Sequence, residues 1–284
     1  MDNASLAEEI ITDTKNESIE ENEIIGKVAQ YKQTLAEYQE KEDYIGGIYY
    51  YDEEIGFNSD PELIDLREKL VDDYIRQEVK IADGLLTDSD ADAAIEEIEK
   101  AERMLPDDRW EKCIEYYQSV MPKSLALMSP YFTEGKGRYI SIGKDTTFTN
   151  VIPYDQFGNE YNTAIQFKDG IREGGNTLTM KYNLDRKYTS LTGIVTENKS
   201  FTTTTGPNLA DTYLAIYCDE ELIYKSQMVD DEMRPQDISI DVTGVLDLRI
   251  DYIGNYEVLL NDPVLYPENL SEPLYEHLGE VIDL

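Results

Sequence analysis

The chain of 284 residues carries 60 acidic and 25 basic residues, a formal net charge of −35. It therefore lacks the basic footprint that nucleic acid or an anionic membrane surface would require. One histidine, His277, and two cysteines without CxxC spacing leave no basis for a histidine triad, a zinc site or a redox pair.

In chain order, the opening "MDNASLAEEI" has neither the basic n-region nor the apolar h-region of a signal peptide. Residues 1–18 are polar and acidic and read as a disordered tail. Residues 19–122 read as a helical domain. Ile24, Val28, Tyr31, Leu35 and Tyr38 form one helical stripe. Leu63, Leu66, Leu70 and Tyr74 begin another behind Pro61, and Trp110, Ile114 and Tyr117 form a third. The stretch from Asp43 can be laid on the stretch from Asp90, with Gly47 over Ala94 and Ile48 over Ile95. The small residue and the exit turn resemble the second helix of a tetratricopeptide repeat, where small side chains let two helices approach. A generic helical bundle is the competing reading.

Within this half, Asp88, Asp90, Asp92 and Glu99 fall at positions one, three, five and twelve of a calcium-loop pattern. The glycine that such a loop needs at position six is Ala93 here. Two readings stand: a structural calcium site, or an acidic, capped helix start favoured by the macrodipole. No other cofactor is expected. Carboxylate pairs suited to acid–base catalysis cannot be singled out among 60 acidic residues.

The texture changes near Pro122–Pro130. Residues 130–267 read as nine or ten short strands, which predicts an antiparallel β-sandwich. In "ISIDVTGVLDLRIDY", Ile238, Ile240 and Val242 share one face; beyond Thr243-Gly244, Leu246, Leu248, Ile250 and Tyr252 share another. The break is a hairpin or a tight corner. Tyrosine is abundant in the chain, at 22 residues, and its ring serves equally as core filler or as a stacking surface for a sugar. Residues 268–284 read as a C-terminal tail.

The strand order and side chains are similar to the NPCBM family, carbohydrate-binding modules attached to glycoside hydrolases. Four pieces carry the resemblance: "YTSLTGIV", "TYLAIYCDEELIYKS", "DISIDVTGVLDLRIDY" and "NDPVLYP". It implies a galactose-binding-like jelly roll, so the fold class is α + β multidomain, with helical hairpins preceding the sandwich. It also implies a non-catalytic accessory role on a cell-surface or secreted protein, whose anchor or signal would lie upstream of this chain. Tyr154, Asp155, Asn159, Tyr161, Arg186 and Tyr188, near predicted strand ends, are the candidate carbohydrate-binding residues. The partner is then a glycan. The alternative is a protein partner held by the helices, with the sandwich as a structural spacer. The sequence sets no oligomeric state and offers no segment for membrane insertion.

Overall fold

The computed structural model describes residues 24–56, 60–87, 90–143, 153–168, 176–198, 211–230, 232–254 and 256–284. The acidic stretch 1–18 and Asp88 lie outside them, as do residues 146–152, part of the strand-rich stretch. The chain divides into two compact units, one of residues up to Tyr117 together with Pro273–Leu284, the other Gln118–Glu272.

The first unit is helical. Residues 24–40 form α1, followed by α2 (Tyr44–Tyr50), α3 (Pro61–Asp83), α4 (Asp92–Met104), α5 (Arg109–Ser119, which runs past the unit boundary) and a short α6 (Leu278–Val281). Asp60 caps α3 through the backbone N–H groups of Glu62 and Leu63, with Pro61 at the first helical position, as the sequence predicts. The two aspartates that align in the internal repeat do the same work. Asp43 accepts from the Gly46 N–H and Asp90 from the Asp92 N–H, each at the head of a helix. Buried Gly47 lets α2 approach closely, because a Cβ there would lie 3.0 Å from both Leu70 Cδ1 and Tyr38 Cβ; Ala94 is equally buried.

Trp110, fully buried, packs edge-on against Tyr74 at 6.1 Å and donates its indole N–H to the Leu105 carbonyl. Ile24, assigned to the first apolar stripe, is 59% exposed. Residues 273–284, read as part of a tail, belong to this unit. The Asp83 carboxylate, at the end of α3, accepts from the N–H groups of Leu274 and Tyr275 and from the Tyr117 hydroxyl. Among the described residues no helix is long and apolar enough to cross a membrane.

The second unit is a sandwich of two antiparallel sheets. Its strands are β1 (Lys123–Ser124), β2 (Phe132–Gly135), β3 (Arg138–Gly143), β4 (Thr163–Lys168), β5 (Asn176–Asn183), β6 (Tyr188–Glu197), β7 (Tyr213–Cys218), β8 (Glu221–Lys225), β9 (Gln236–Asp241), β10 (Asp247–Gly254) and β11 (Val258–Pro267). One sheet runs β3-β4-β11-β6-β9 with β1 beside β11; the other runs β2-β5-β10-β7-β8. From β4 to β7, and again from β9 to β11, successive strands alternate between the sheets, as in a jelly roll.

The inward faces interdigitate, Phe167 of one sheet stacking on Tyr252 of the other at 5.9 Å. Period-two burial is plain in β10, where Leu248, Ile250 and Tyr252 are fully buried between half-exposed Asp247, Arg249 and Asp251. The hairpin between β7 and β8 turns on Asp219 and Glu220, both with positive φ, as tight two-residue turns require.

The Thr243-Gly244 break is a corner between the sheets, because β9 and β10 lie in different layers. Leu246, assigned to the inward face, is 40% exposed, since the corner residues from 242 to 246 leave the strand alternation. Gly244 has φ +74 with open space around its missing Cβ. Gly244→Ala is therefore expected to cost only about 1 kcal/mol, the backbone penalty without a clash. Denaturant unfolding checks this, and a loss above roughly 3 kcal/mol would contradict it.

Candidate functional site

Residues 153–162 form a self-bracing loop ahead of β4. The Asp155 carboxylate, fully buried, takes four donors. Oδ1 accepts from the N–H groups of Phe157 (2.8 Å) and Asn159 (3.0 Å), and Oδ2 from Asn159 Nδ2 (2.8 Å) and the Tyr161 hydroxyl (2.9 Å). Burial works against the charge, yet the donors from Asn159, Tyr161 and Phe157 together hold the carboxyl below its ordinary value. Burial, then the Asp155 charge, pushes the Tyr161 phenol well above its usual range. Backbone bonds close the loop: Asp155 N–H to Asn159 O, Gly158 N–H to Asp155 O, and Tyr161 N–H to Pro153 O.

Two outer fastenings hold the loop in place. Gln156 Nε2 donates to the Met233 carbonyl. Asp262, at the β11 bulge, accepts from the N–H groups of Asn162 and Thr163 at 2.9 and 2.8 Å. The internal bonds consume the polar groups of Asp155 and Tyr161, leaving two aromatic rings turned outward: Tyr154 is 44% exposed and Phe157 is 58% exposed. Asn159 and Glu160 are exposed beside them. The result is a pre-ordered apolar surface with a polar rim.

The six candidate residues thus divide. Asp155, Asn159 and Tyr161 converge as the loop's brace, and Tyr154 stands on its surface. Arg186 and Tyr188 lie elsewhere, at the β5–β6 corner. There Asp185 and Arg186 both have positive φ, and the Arg186 N–H donates to the Val245 carbonyl of the neighbouring corner. Tyr188 is half-buried against the core. On β11, Tyr188 pairs with Pro267 and Ala164 with Asn261. Six residues of strand put these anchor points roughly 20 Å apart. Phe157 is a surface ring that sequence reasoning passed over; "DQFGN", an Asp-led turn with glycine, is the local signal that exposes it.

From Asp90 onward the acidic stretch is arranged as a helix start, with Asp90 accepting from the Asp92 N–H. Asp92 opens α4, and Glu99 lies seven residues along it, about 10 Å up the axis, near Arg103 at 3.9 Å. Among the described residues no cluster of three or more His, Cys, Asp or Glu side chains is placed to hold a metal ion.

No curated protein matches the chain. Similar solved structures include CBM51 from Clostridium perfringens GH95 in complex with methyl-galactose, at 13% identity over 51% of this chain and 99% of that one, TM-score 0.38. Another holds the M60 catalytic domain with the CBM51-1 and CBM51-2 domains of Clostridium perfringens ZmpB; the match has 13% identity over 52% of this chain, 15% of that chain, and TM-score 0.41. A third, of the tandem CBM51 modules of Sp3GH98 from Streptococcus pneumoniae SP3-BS71, matches at 11% identity over 52% of this chain and 47% of that one, TM-score 0.38. Residues 157–255, from Phe157 of the braced loop to the end of β10, match the NPCBM/NEW2 domain. That match lies within the sandwich unit.

Proposed function

We infer that the sandwich is a non-catalytic glycan-binding module and that the 153–162 loop is its contact surface. The observation that carries this is the Asp155 brace, which presents Tyr154 and Phe157 to water without support from a ligand. Such rings offer apolar faces to the C–H surface of a sugar, while the rim supplies hydrogen-bonding groups. Asp155 itself is saturated by four donors, which argues against its use as an acid or base.

The helical unit serves in this reading as an interaction arm. Its pairing of α1 with α2 and α3 with α4 is tetratricopeptide-like, with Gly47 and Ala94 in matching places. A surface or secreted setting suits the two thiols. Cys113 and Cys218 are buried and unpaired, and burial pushes them up to about 12 and about 11, which keeps both protonated and inert.

Affinity electrophoresis of the full chain across a glycan panel tests the assignment. Tyr154→Ala and Phe157→Ala are each expected to weaken binding about tenfold, or roughly 1.4 kcal/mol. Retained affinity in both variants would remove the loop from the site. Silence across the panel, with capture of a protein by the helical arm, would favour the scaffold reading.

A further inference from the structure

A cavity of about 260 Å³ opens on the helical unit. Its walls are Glu42, from the turn before α2, Tyr44 of α2, Asp73, Arg76 and Lys80 of α3, and Tyr275 of the returning segment. All of these belong to the same compact unit. The volume lies below the range of drug-sized ligand sites and admits a guest the size of a single amino acid. Along α3, Asp73, Arg76 and Lys80 follow one another at i, i+3 and i+7. A carboxylate, a guanidinium and an ammonium thus start in a row on one face, from positions about 4.5 and 6 Å apart along the axis.

The four charges of this lining do not satisfy one another. Arg67, Arg103 and Arg109 of the same unit each meet a carboxylate, at 2.7, 3.9 and 2.7 Å. Among the described residues neither Arg76 nor Lys80 does, and neither Asp73 nor Glu42 has a cation within ion-pairing reach. Asp73 and Arg76 nevertheless have the i, i+3 spacing at which such pairs readily form. Asp73 is held instead by Gln39 Nε2 at 2.9 Å. Tyr275 is fixed through its backbone, its N–H donating to Asp83 at 2.9 Å. Burial first, then the charges of Asp73 and Glu42, raise the Tyr44 phenol above its ordinary value, so its hydroxyl lies within electrostatic reach of both carboxylates. In a chain with 60 acidic and 25 basic residues, two neighbouring cations without an acid do not reflect a shortage of partners.

We propose that the cavity binds a free α-amino acid with an apolar side chain, as its zwitterion. Arg76 and Lys80 take the carboxylate, Asp73 and Glu42 take the ammonium, and the rings of Tyr44 and Tyr275 flank the side chain. A simple anion would meet Asp73 and Glu42 as well as the cations, and a simple cation would meet Arg76 and Lys80. A guest that carries both signs is drawn by all four groups. The guanidinium fork matches a carboxylate, and the three N–H donors of an ammonium match carboxylate oxygens. A residue inside a polypeptide has neither backbone charge and is not recognised in this way. The site lies in the helical unit and does not rest on glycan binding by the sandwich.

Calorimetry on the full chain tests it, in near-physiological salt so that the diffuse pull of a −35 chain on any cation is screened. The probes are L-phenylalanine, phenethylamine and 3-phenylpropanoate, which each keep one of its two charges, and N-acetyl-phenylalanine amide, which keeps neither. Saturable one-to-one binding of L-phenylalanine is expected, about tenfold tighter than either single-charge analogue, with no binding of the amide. Arg76→Gln should weaken L-phenylalanine about tenfold and leave phenethylamine no weaker. Asp73→Asn should weaken L-phenylalanine to a similar extent and leave 3-phenylpropanoate no weaker. Both positions are half-exposed, and asparagine keeps an acceptor for Gln39, so unchanged fluorescence of buried Trp110 certifies the fold of each variant. No binding of L-phenylalanine, equal binding of a single-charge analogue, or wild-type affinity in both variants would overturn the site.

Discussion

Asp155→Ala is expected to dissolve the braced loop. The substitution strands two backbone N–H groups, an amide and a phenol that now converge on one buried carboxylate. Hydrogen bonds to a charged group contribute about 1.5–3 kcal/mol each, but four sharing one anchor do not add. A total near 3 kcal/mol is a reasonable expectation, which for a unit of this size lowers the melting temperature by about 6–12 °C. Glycan affinity should fall further than in either ring variant, because Tyr154 and Phe157 lose their positions together. Asp155→Asn keeps the shape and half the acceptor capacity and should fall between the two.

The same carboxylate sets a pH dependence. Its folded pKa lies below the unfolded value, so the stabilisation is present above about pH 4, the ordinary carboxylate value, and is lost as pH falls through the folded one. The gap in melting temperature between wild type and Asp155→Ala should be widest near neutrality and close in acid. A gap that stays constant or widens on acidification would show that Asp155 is not the ionised anchor of the loop.

The second large effect is expected at Gly254, which ends β10 with φ +135. A Cβ there would lie 2.1 Å from Thr212 Oγ1 and 2.5 Å from Thr212 Cα and Cβ. Gly254→Ala combines a backbone conformation that side chains avoid with a collision against the chain entering β7. The collision cannot be relieved by a rotamer change alone, since Cα is among the atoms met. A loss of about 3–5 kcal/mol follows, against about 1 for Gly244→Ala. Denaturant midpoints of the two variants, compared at equal slope, check the contrast. Equal midpoints would mean that the β7 entrance yields easily.

Much of the sandwich was legible because its strands carry period-two burial that each segment displays by itself. In β10 the alternation of Leu248, Ile250 and Tyr252 read from the sequence is the burial pattern observed. β1 and β2, of two and four residues, are too short to show a period and were invisible. Leu246 failed for the same reason in reverse, since an apolar residue next to a corner keeps the rhythm of a strand it has left. The candidate site was half legible. Asp155, Asn159 and Tyr161 were offered as ligand-binding groups near strand ends, but sequence spacing does not reveal whether a polar side chain points at a ligand or back at its own backbone. The last residues were misassigned because what fastens them, Asp83, is 191 positions from Leu274, and no local pattern records a partner that distant.

That fastening bears on how the molecule is made. Asp83 receives its two backbone donors only from a segment that follows the whole sandwich in sequence. During synthesis the helices can form early, but their bundle is left unlatched until the β-rich portion has emerged and its successor returns. A ribosome-stalled nascent chain halted after β11 should accordingly show protease-sensitive helices beside an already resistant sandwich.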